Sequence, residues 1–94
     1  MCGICGTAGF SDRDLLVRMC ATLRHRGPDG WGVFCDEGVG LGSTRLAIID
    51  LLTGNQPMTN EDRSVWVVFD GEIYNYLELK RILLSKGHIF RTTS

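Results

Sequence analysis

Hydrophobic positions recur along this chain with two different periods, and the switches between them mark its elements. Residues 2–10 interleave glycine with small and apolar residues and predict a Gly-rich strand, whose bare backbone lets another group come close. Leu15, Leu16, Met19, Cys20 and Leu23 then recur at helical spacing, which predicts an amphipathic helix over residues 12–25. Ser11 is placed to cap it, Asp12 and Asp14 suit its first turn, and Arg24, His25 and Arg26 suit the negative end of its dipole. Gly27-Pro28 stops the helix, and Pro28-Asp29-Gly30 is a turn signal. Residues 31–35 predict a short strand, and Asp36-Glu37-Gly38 a tight connection to a hairpin partner over 39–50.

Residues 52–64 are polar, with Gly54, Asn55, Pro57 and Asn60, and predict a loop. Val65-Trp66-Val67-Val68-Phe69 is a continuous apolar run of strand length and predicts a strand buried on both faces. Asp70-Gly71-Glu72 follows it directly. Asn75 is a candidate cap for a second helix over 76–86, with Leu79, Ile82 and Leu83 on one stripe and Gly87 at its end. Residues 88–93 predict another strand. The clustered hairpin strands between two helices give an α+β class with mainly antiparallel sheet. A strand opens close to Ser94 with no following partner, so the reading expects a fragment of a larger domain.

Composition narrows the function. The chain has 94 residues, 44% hydrophobic, with a formal net charge of −1. That is enough for one small core, and it provides no basic footprint for nucleic acid or an anionic membrane. No membrane-spanning run or secretory leader is legible, so a cytoplasmic protein with reduced thiols is expected. The cysteines stand at 2, 5, 20 and 35. Cys20 and Cys35 read as small core residues, and Trp31 and Trp66 as core aromatics. His25 reads as a dipole partner and His88 as a solvated side chain. Cys2 and Cys5 form a C-x-x-C pair, which leaves a small redox or metal protein as one reading. A catalytic thiol at Cys2 is favoured over it, because no second pair completes a zinc set.

Cys2 carries the most chemistry. If Met1 is removed, Cys2 holds a thiol and a free α-amine on one residue. An α-amine has a pKa near ~8 and can take the thiol proton directly or through a water, which makes an activated nucleophile. Arg45, in a predicted strand, offers a planar two-pronged donor for a carboxylate; on spacing alone an ion pair with Asp29 or Asp50 accounts for it equally well. Gly71 could present its N–H to a substrate oxygen and Glu72 could accept from a substrate ammonium, although Asp70-Gly71 is also an ordinary turn.

Five stretches occur in the order and spacing of a known family. They are Met1-Cys2-Gly3-Ile4 with Gly6, Arg24-His25-Arg26-Gly27-Pro28-Asp29-Gly30, Arg45-Leu46-Ala47-Ile48-Ile49-Asp50-Leu51, Gln56-Pro57-Met58, and Gly71-Glu72-Ile73-Tyr74-Asn75-Tyr76. As a set they resemble the start of the class II, N-terminal-nucleophile glutamine amidotransferase domain of asparagine synthetases. The resemblance runs over all 94 residues and covers about the first half of such a domain. It implies a four-layer αββα sandwich, here partial. It implies Cys2 as nucleophile on the glutamine side-chain amide, Arg45 on the substrate α-carboxylate, and Leu46 and Ile48 positioning through backbone groups. Gly71 N–H would be half of an oxyanion hole, and Glu72 would bind the α-amine. The implied partners are L-glutamine, a downstream synthetase domain and a second copy of the full-length protein. No cofactor is implied for this domain; ATP and Mg are expected only for the synthetase domain, where the ammonia meets an activated aspartate.

Two departures follow from the same resemblance. The family has Asn, the second oxyanion donor, where this chain has Asp70. Loss of such a donor costs ~3–4 kcal/mol of transition-state stabilisation, and an added negative charge is at least as harmful. Slow turnover, or a catalytically silent module kept for structure or docking, is therefore expected. The second departure is the Asp that follows Thr92-Thr93-Ser94 in the family and lies outside these residues; poor folding of the isolated chain is the expectation that goes with it.

Overall fold

The computed structural model describes residues 2–46 and 55–93. Among the described residues, two antiparallel sheets and two helices make a small α+β architecture. The elements are β1 (Gly3–Ala8), α1 (Arg13–Thr22), β2 (Gly30–Asp36), β3 (Val39–Arg45), β4 (Met58–Thr59), β5 (Trp66–Val67) and α2 (Tyr76–Ser85).

The first sheet has the order β1-β3-β2 and is antiparallel throughout. β2 and β3 form the hairpin expected from Asp36-Glu37-Gly38; Gly38 takes a φ of +76°, which a side chain would resist. Register places Gly3 against Thr44 and Cys5 against Gly42. Gly42 in turn faces Val33, and Gly40 faces Cys35. Side chains alternate along each strand, so Gly3, Cys5 and Thr7 share one face with Gly40, Gly42 and Thr44.

α1 lies on that face. Its anchor, Leu16, is fully buried, and Cys20 is 2% exposed. A Cβ on Gly40 would stand 2.5 Å from Leu16 Cδ1. The small positions of β3 are therefore what allow the helix to seat on the sheet. The helix differs from the expected one at both ends. Asp12, not Ser11, is the cap: its Oδ1 accepts from Leu15 N at 3.0 Å. The last helical residue is Thr22, and Arg24–Arg26 lie in the turn beyond it, so no basic residue sits on the last helical turn. Arg26 N donates to Leu23 O at 2.9 Å and Gly27 N to Arg24 O at 3.2 Å, which tightens that turn.

The turn is stitched to the end of β3. Pro28 bridges Arg45, and Asp29 N donates to Arg45 O at 2.8 Å. Gly27 is required by this approach, because its Cβ would stand 2.5 Å from Arg45 N and Thr44 C, both backbone atoms. Gly27→Ala is expected to cost about 1–3 kcal/mol, since a backbone neighbour cannot swing aside. A lowered urea midpoint with an unchanged m-value checks this; an unaltered midpoint contradicts the packing described.

The opposite face of the sheet is partly covered by residues 55–57 and Trp66. Phe34 stacks on Trp66 with ring centroids 3.7 Å apart. Trp66 is half-buried against Phe34 and Trp31 is 54% exposed, so neither tryptophan is in the core. Cys35 is only half-buried.

The second half of the chain departs further from the pattern. Of the loop expected over 52–64, residues 52–54 lie outside the described residues, and residues 55–64 contain β4, which pairs with β5. β5 has two residues rather than five, and Val65 and Val67 are exposed, so the run is not buried on both faces. α2 follows Asn75, which occupies the cap position without a side-chain cap hydrogen bond. Its stripe of Leu79, Ile82 and Leu83 is exposed, and Gly87 ends it at a φ of +91°. Residues 88–93 form no strand; they are tied to the β4–β5 hairpin by side chains instead. His88 Nδ1 pairs with Glu61 at 2.9 Å, and Arg91 Nη2 donates to Thr59 Oγ1 and, at 2.8 Å, to Asn60 O. His88 is therefore not simply solvated. The hydrogen bonds from His88 and the Ile89 amide hold the Glu61 carboxyl below its usual range. The radius of gyration is 14.0 Å, against about 12 Å for a compact domain of this length. Much apolar surface remains uncovered among the described residues.

Candidate active site

The ends of β1 and β3 meet the turn after α1 and the segment after β5, and Cys2 is at that junction. Cys2 directly precedes β1, three positions from Cys5, so on an extended chain the two side chains point to opposite faces. Cys5 Sγ lies against Cys20 Sγ under α1, while Cys2 Sγ reaches toward Leu46 O at 3.9 Å. The two thiols therefore face different neighbours. Among the described residues no three His, Cys, Asp or Glu side chains gather as a metal-binding group.

The backbone of Cys2 is gripped from two sides. Its N donates to Asp70 Oδ1 at 3.2 Å, and Arg26 Nε donates to its carbonyl oxygen at 3.2 Å. Arg26 Nη2 and Asp70 Oδ2, 3.4 Å apart, close the ring. Both side chains are about one-third exposed, so solvent screens this ion pair to no more than about 1 kcal/mol. Its effect is chiefly geometric. The next residue along is fixed as well: Gly3 N donates to Thr44 Oγ1 at 3.2 Å, and Thr44 Oγ1 donates to Leu23 O at 3.1 Å.

Asp70 is placed by its predecessor. Phe69 N donates to Gln56 Oε1 at 2.6 Å, and Gln56 Nε2 donates to Phe69 O at 3.1 Å. The side-chain amide thereby imitates a strand partner and holds the chain one residue before Asp70. The Gln56-Pro57 peptide is cis. Gly71 and Glu72 follow on the exposed segment. A Cβ on Gly71 would stand 2.8 Å from Phe69 Cζ.

Arg45 is 8% exposed, and its Nη1 donates to Asn55 Oδ1 at 3.3 Å. Alternation along β3 puts it on the face away from α1, the face to which Cys2 also belongs. Ile48 lies outside the described residues, as does Asp50. The structure thus gathers Cys2, the Leu46 carbonyl and Asp70, with Gly71 next in chain and Arg45 next to Leu46. Glu72 is exposed, two residues past Asp70.

Arg26 and Gln56 stand in the motifs that carry the resemblance but were given no role in the site. Arg26 reads locally as a helix-end charge, and Gln56 as one polar residue of a loop; each gains its meaning only when a distant segment arrives. Two open cavities lie nearby without including Cys2. One of about 740 Å³ is lined by Met58, Trp66, Leu83, His88 and Phe90, among others. The other, of about 470 Å³, lies along the Arg24–Trp31 turn. The larger cavity lies between α2 and the hairpin, and no cysteine is among the described residues that line it, so size alone does not mark the site.

The arrangement presents a thiol beside its own backbone nitrogen, with a guanidinium and a carboxylate on either side. No helix among the described residues is long and apolar enough to cross a membrane. Residues 1–94 match the glutamine amidotransferase domain family. The chain is 46% identical over 101 residues to the glutamine-hydrolyzing asparagine synthetase 1 of Bacillus subtilis (strain 168), covering all of this chain and 16% of that protein. It is 46% identical over 99 residues to the glutamine-hydrolyzing asparagine synthetase 2 of Oryza sativa subsp. japonica, covering 16% of it. With synthetase 3 of Arabidopsis thaliana the identity is 43% over 99 residues and the coverage 17%. The chain therefore spans about one-sixth of the length of these relatives. Over its whole length, this chain belongs to the glutamine amidotransferase domain family.

Proposed function

We propose that this chain carries the glutaminase chemistry of a glutamine-dependent asparagine synthetase, with Cys2 as nucleophile. The observation that supports it best is the bracketing of Cys2 by Asp70 and Arg26, which orients the first residue of a processed chain. With Met1 removed, the α-amine of Cys2 takes the thiol proton. The thiolate attacks the glutamine side-chain carbonyl carbon; ammonia leaves with the proton, and a γ-glutamyl thioester remains. Water then cleaves the thioester to glutamate and regenerates the thiol. Arg45 holds the α-carboxylate, Glu72 the α-ammonium, Leu46 and Ile48 position the substrate through their backbone, and Gly71 N–H faces the oxyanion.

The complete fold in this reading is the four-layer αββα sandwich, with the β1-β3-β2 sheet and α1 as two of its layers. The ammonia goes to an ATP-activated aspartate on a synthetase domain outside residues 1–94, in a homodimeric protein. ATP and Mg belong to that domain and take no part in the steps above.

A second reading is favoured by Asp70 itself. Its carboxylate accepts from Cys2 N and pairs with Arg26, and it has no proton to offer an oxyanion. A catalytically silent module then keeps the fold for docking or for sensing glutamine. Hydroxylamine separates the two. Incubated with glutamine and hydroxylamine, the full-length protein is expected to release γ-glutamyl hydroxamate above the level of its Cys2→Ala variant. Equal release from both supports the silent module.

A further inference from the structure

Two thiols that the glutaminase reading leaves unused lie together beneath α1. Cys5 projects from β1 and Cys20 from α1, with their sulfurs 3.8 Å apart. Cys20 is buried, and Cys5 is half-buried. The niche they share is made by a glycine. A Cβ on Gly42 would stand 2.6 Å from Cys5 Sγ and 2.8 Å from Cys20 Sγ, so both sulfurs rest over bare backbone of β3. The pair links two elements fifteen residues apart in the chain. A disulfide bond is about 2.05 Å long, so the sulfurs need to approach by under about 2 Å, and rotation about either Cα–Cβ bond moves a sulfur on that scale.

We infer that Cys5 and Cys20 form a two-thiol oxidation site that takes a low-molecular-weight disulfide as oxidant and closes to a crosslink tying β1 to α1. Cys5, the more accessible of the two, attacks first as its thiolate. It bonds to one sulfur of the small disulfide and expels the other as a thiolate. The Cys20 thiolate then attacks Cys5 Sγ and expels the second small thiolate. The two protons from Cys5 and Cys20 end on the two small thiols. The protein dithiol is oxidised by two electrons, and the small disulfide is reduced to two thiols. The closed form pins the helix to the strand that begins next to Cys2.

The site is guarded against casual oxidation. Burial, together with the neighbouring Cys20, pushes the Cys5 thiol up to about 11. Because the thiolate is the attacking species, the closing rate is expected to rise about tenfold per pH unit between about pH 7 and 9.

The test uses the full-length protein under native conditions with oxidised glutathione, followed by alkylation of remaining thiols and peptide mapping of residues 1–94. The expected product has lost two hydrogens, joins Cys5 to Cys20, and leaves Cys2 and Cys35 alkylated. It forms at the same rate in Cys35→Ser, while Cys5→Ser gives no internal crosslink. In concentrated urea the selectivity disappears, because the pairing depends on the fold. The crosslinked form melts at least about 5 °C higher than the reduced form, as closure of a loop of this length gives. Glutathione left as a stable mixed disulfide on Cys5, a native crosslink through Cys2 or Cys35, or an unchanged melting temperature of the crosslinked form overturns the inference. The mapping needs no variant, so a misfolded substitution leaves it decisive.

Discussion

Asp70→Asn is expected to raise glutamine hydrolysis by the full-length protein by about 100- to 1,000-fold, the amount by which a single oxyanion donor changes turnover. In the proposed mechanism this effect rests on one atom. In the present chain Oδ1 accepts from Cys2 N and Oδ2 faces Arg26. Asparagine keeps an oxygen for the Cys2 nitrogen and gains an N–H₂ in place of the second oxygen. The weak, solvent-screened pair with Arg26 is lost, at a cost below about 1 kcal/mol. A donor at this position stabilises charge as it develops on the substrate oxygen; a carboxylate repels it.

In the proposed mechanism the Cys2 nitrogen of a processed chain is an amine that takes the thiol proton, and Asp70 is the carboxylate that accepts from that nitrogen. Steady-state glutamate release by the two proteins measures the effect of the substitution. An unchanged rate would mean that Asp70 does not face the reacting atoms.

The largest loss is expected at Cys2. Cys2→Ala in the Asp70→Asn background should lower glutamate release by about 10⁴-fold or more, because no thioester forms without the sulfur. An uncleavable extension ahead of Cys2 should inactivate nearly as strongly while leaving the thiol in place. It converts the amine to an amide, which has no basic lone pair. It also preserves the N–H that Asp70 accepts from and the carbonyl that Arg26 holds. Intact mass reports whether Met1 is present in each preparation, and glutamate release reports activity. An extended protein with full activity would remove the amine from the mechanism.

The first half of the fold was legible because its signals are local. The stripe of Leu16 and Cys20, the Gly27-Pro28 stop and the Asp36-Glu37-Gly38 turn each act within a few residues. They led to α1 and the β2–β3 hairpin, with errors confined to the ends. The cap moved from Ser11 to Asp12 because the side chain that reaches Leu15 N decides it. The helix ended before its basic residues because Arg26 turns toward Cys2 and Asp70. The second half was read less well. An apolar run such as Val65–Phe69 shows that burial is wanted, and says nothing of which layer provides it. Among the described residues only Met58–Thr59 pairs with β5. Residues 88–93 read as a strand from composition, yet ionic and hydrogen-bond contacts with Glu61, Thr59 and Asn60 take the place of a ladder.

The candidate site was legible as proposed chemistry and not in its supports. Cys2 was put forward for its place behind Met1 and for what an amine does to a thiol. Asp70 and Leu46 were marked by resemblance, and the fold brings both to Cys2. Arg26 and Gln56 act at distances of 24 and 13 residues along the chain, and no local period encodes such contacts.

Labelling by an electrophilic glutamine analogue, a diazoketone with the α-amino acid end intact, tests the central claim most directly. Peptide mapping of the labelled full-length protein should place the adduct on Cys2 sulfur, and excess glutamine should slow its formation. An adduct on Cys5, Cys20 or Cys35 with Cys2 untouched, or labelling of Cys2 that glutamine fails to slow, would contradict the account.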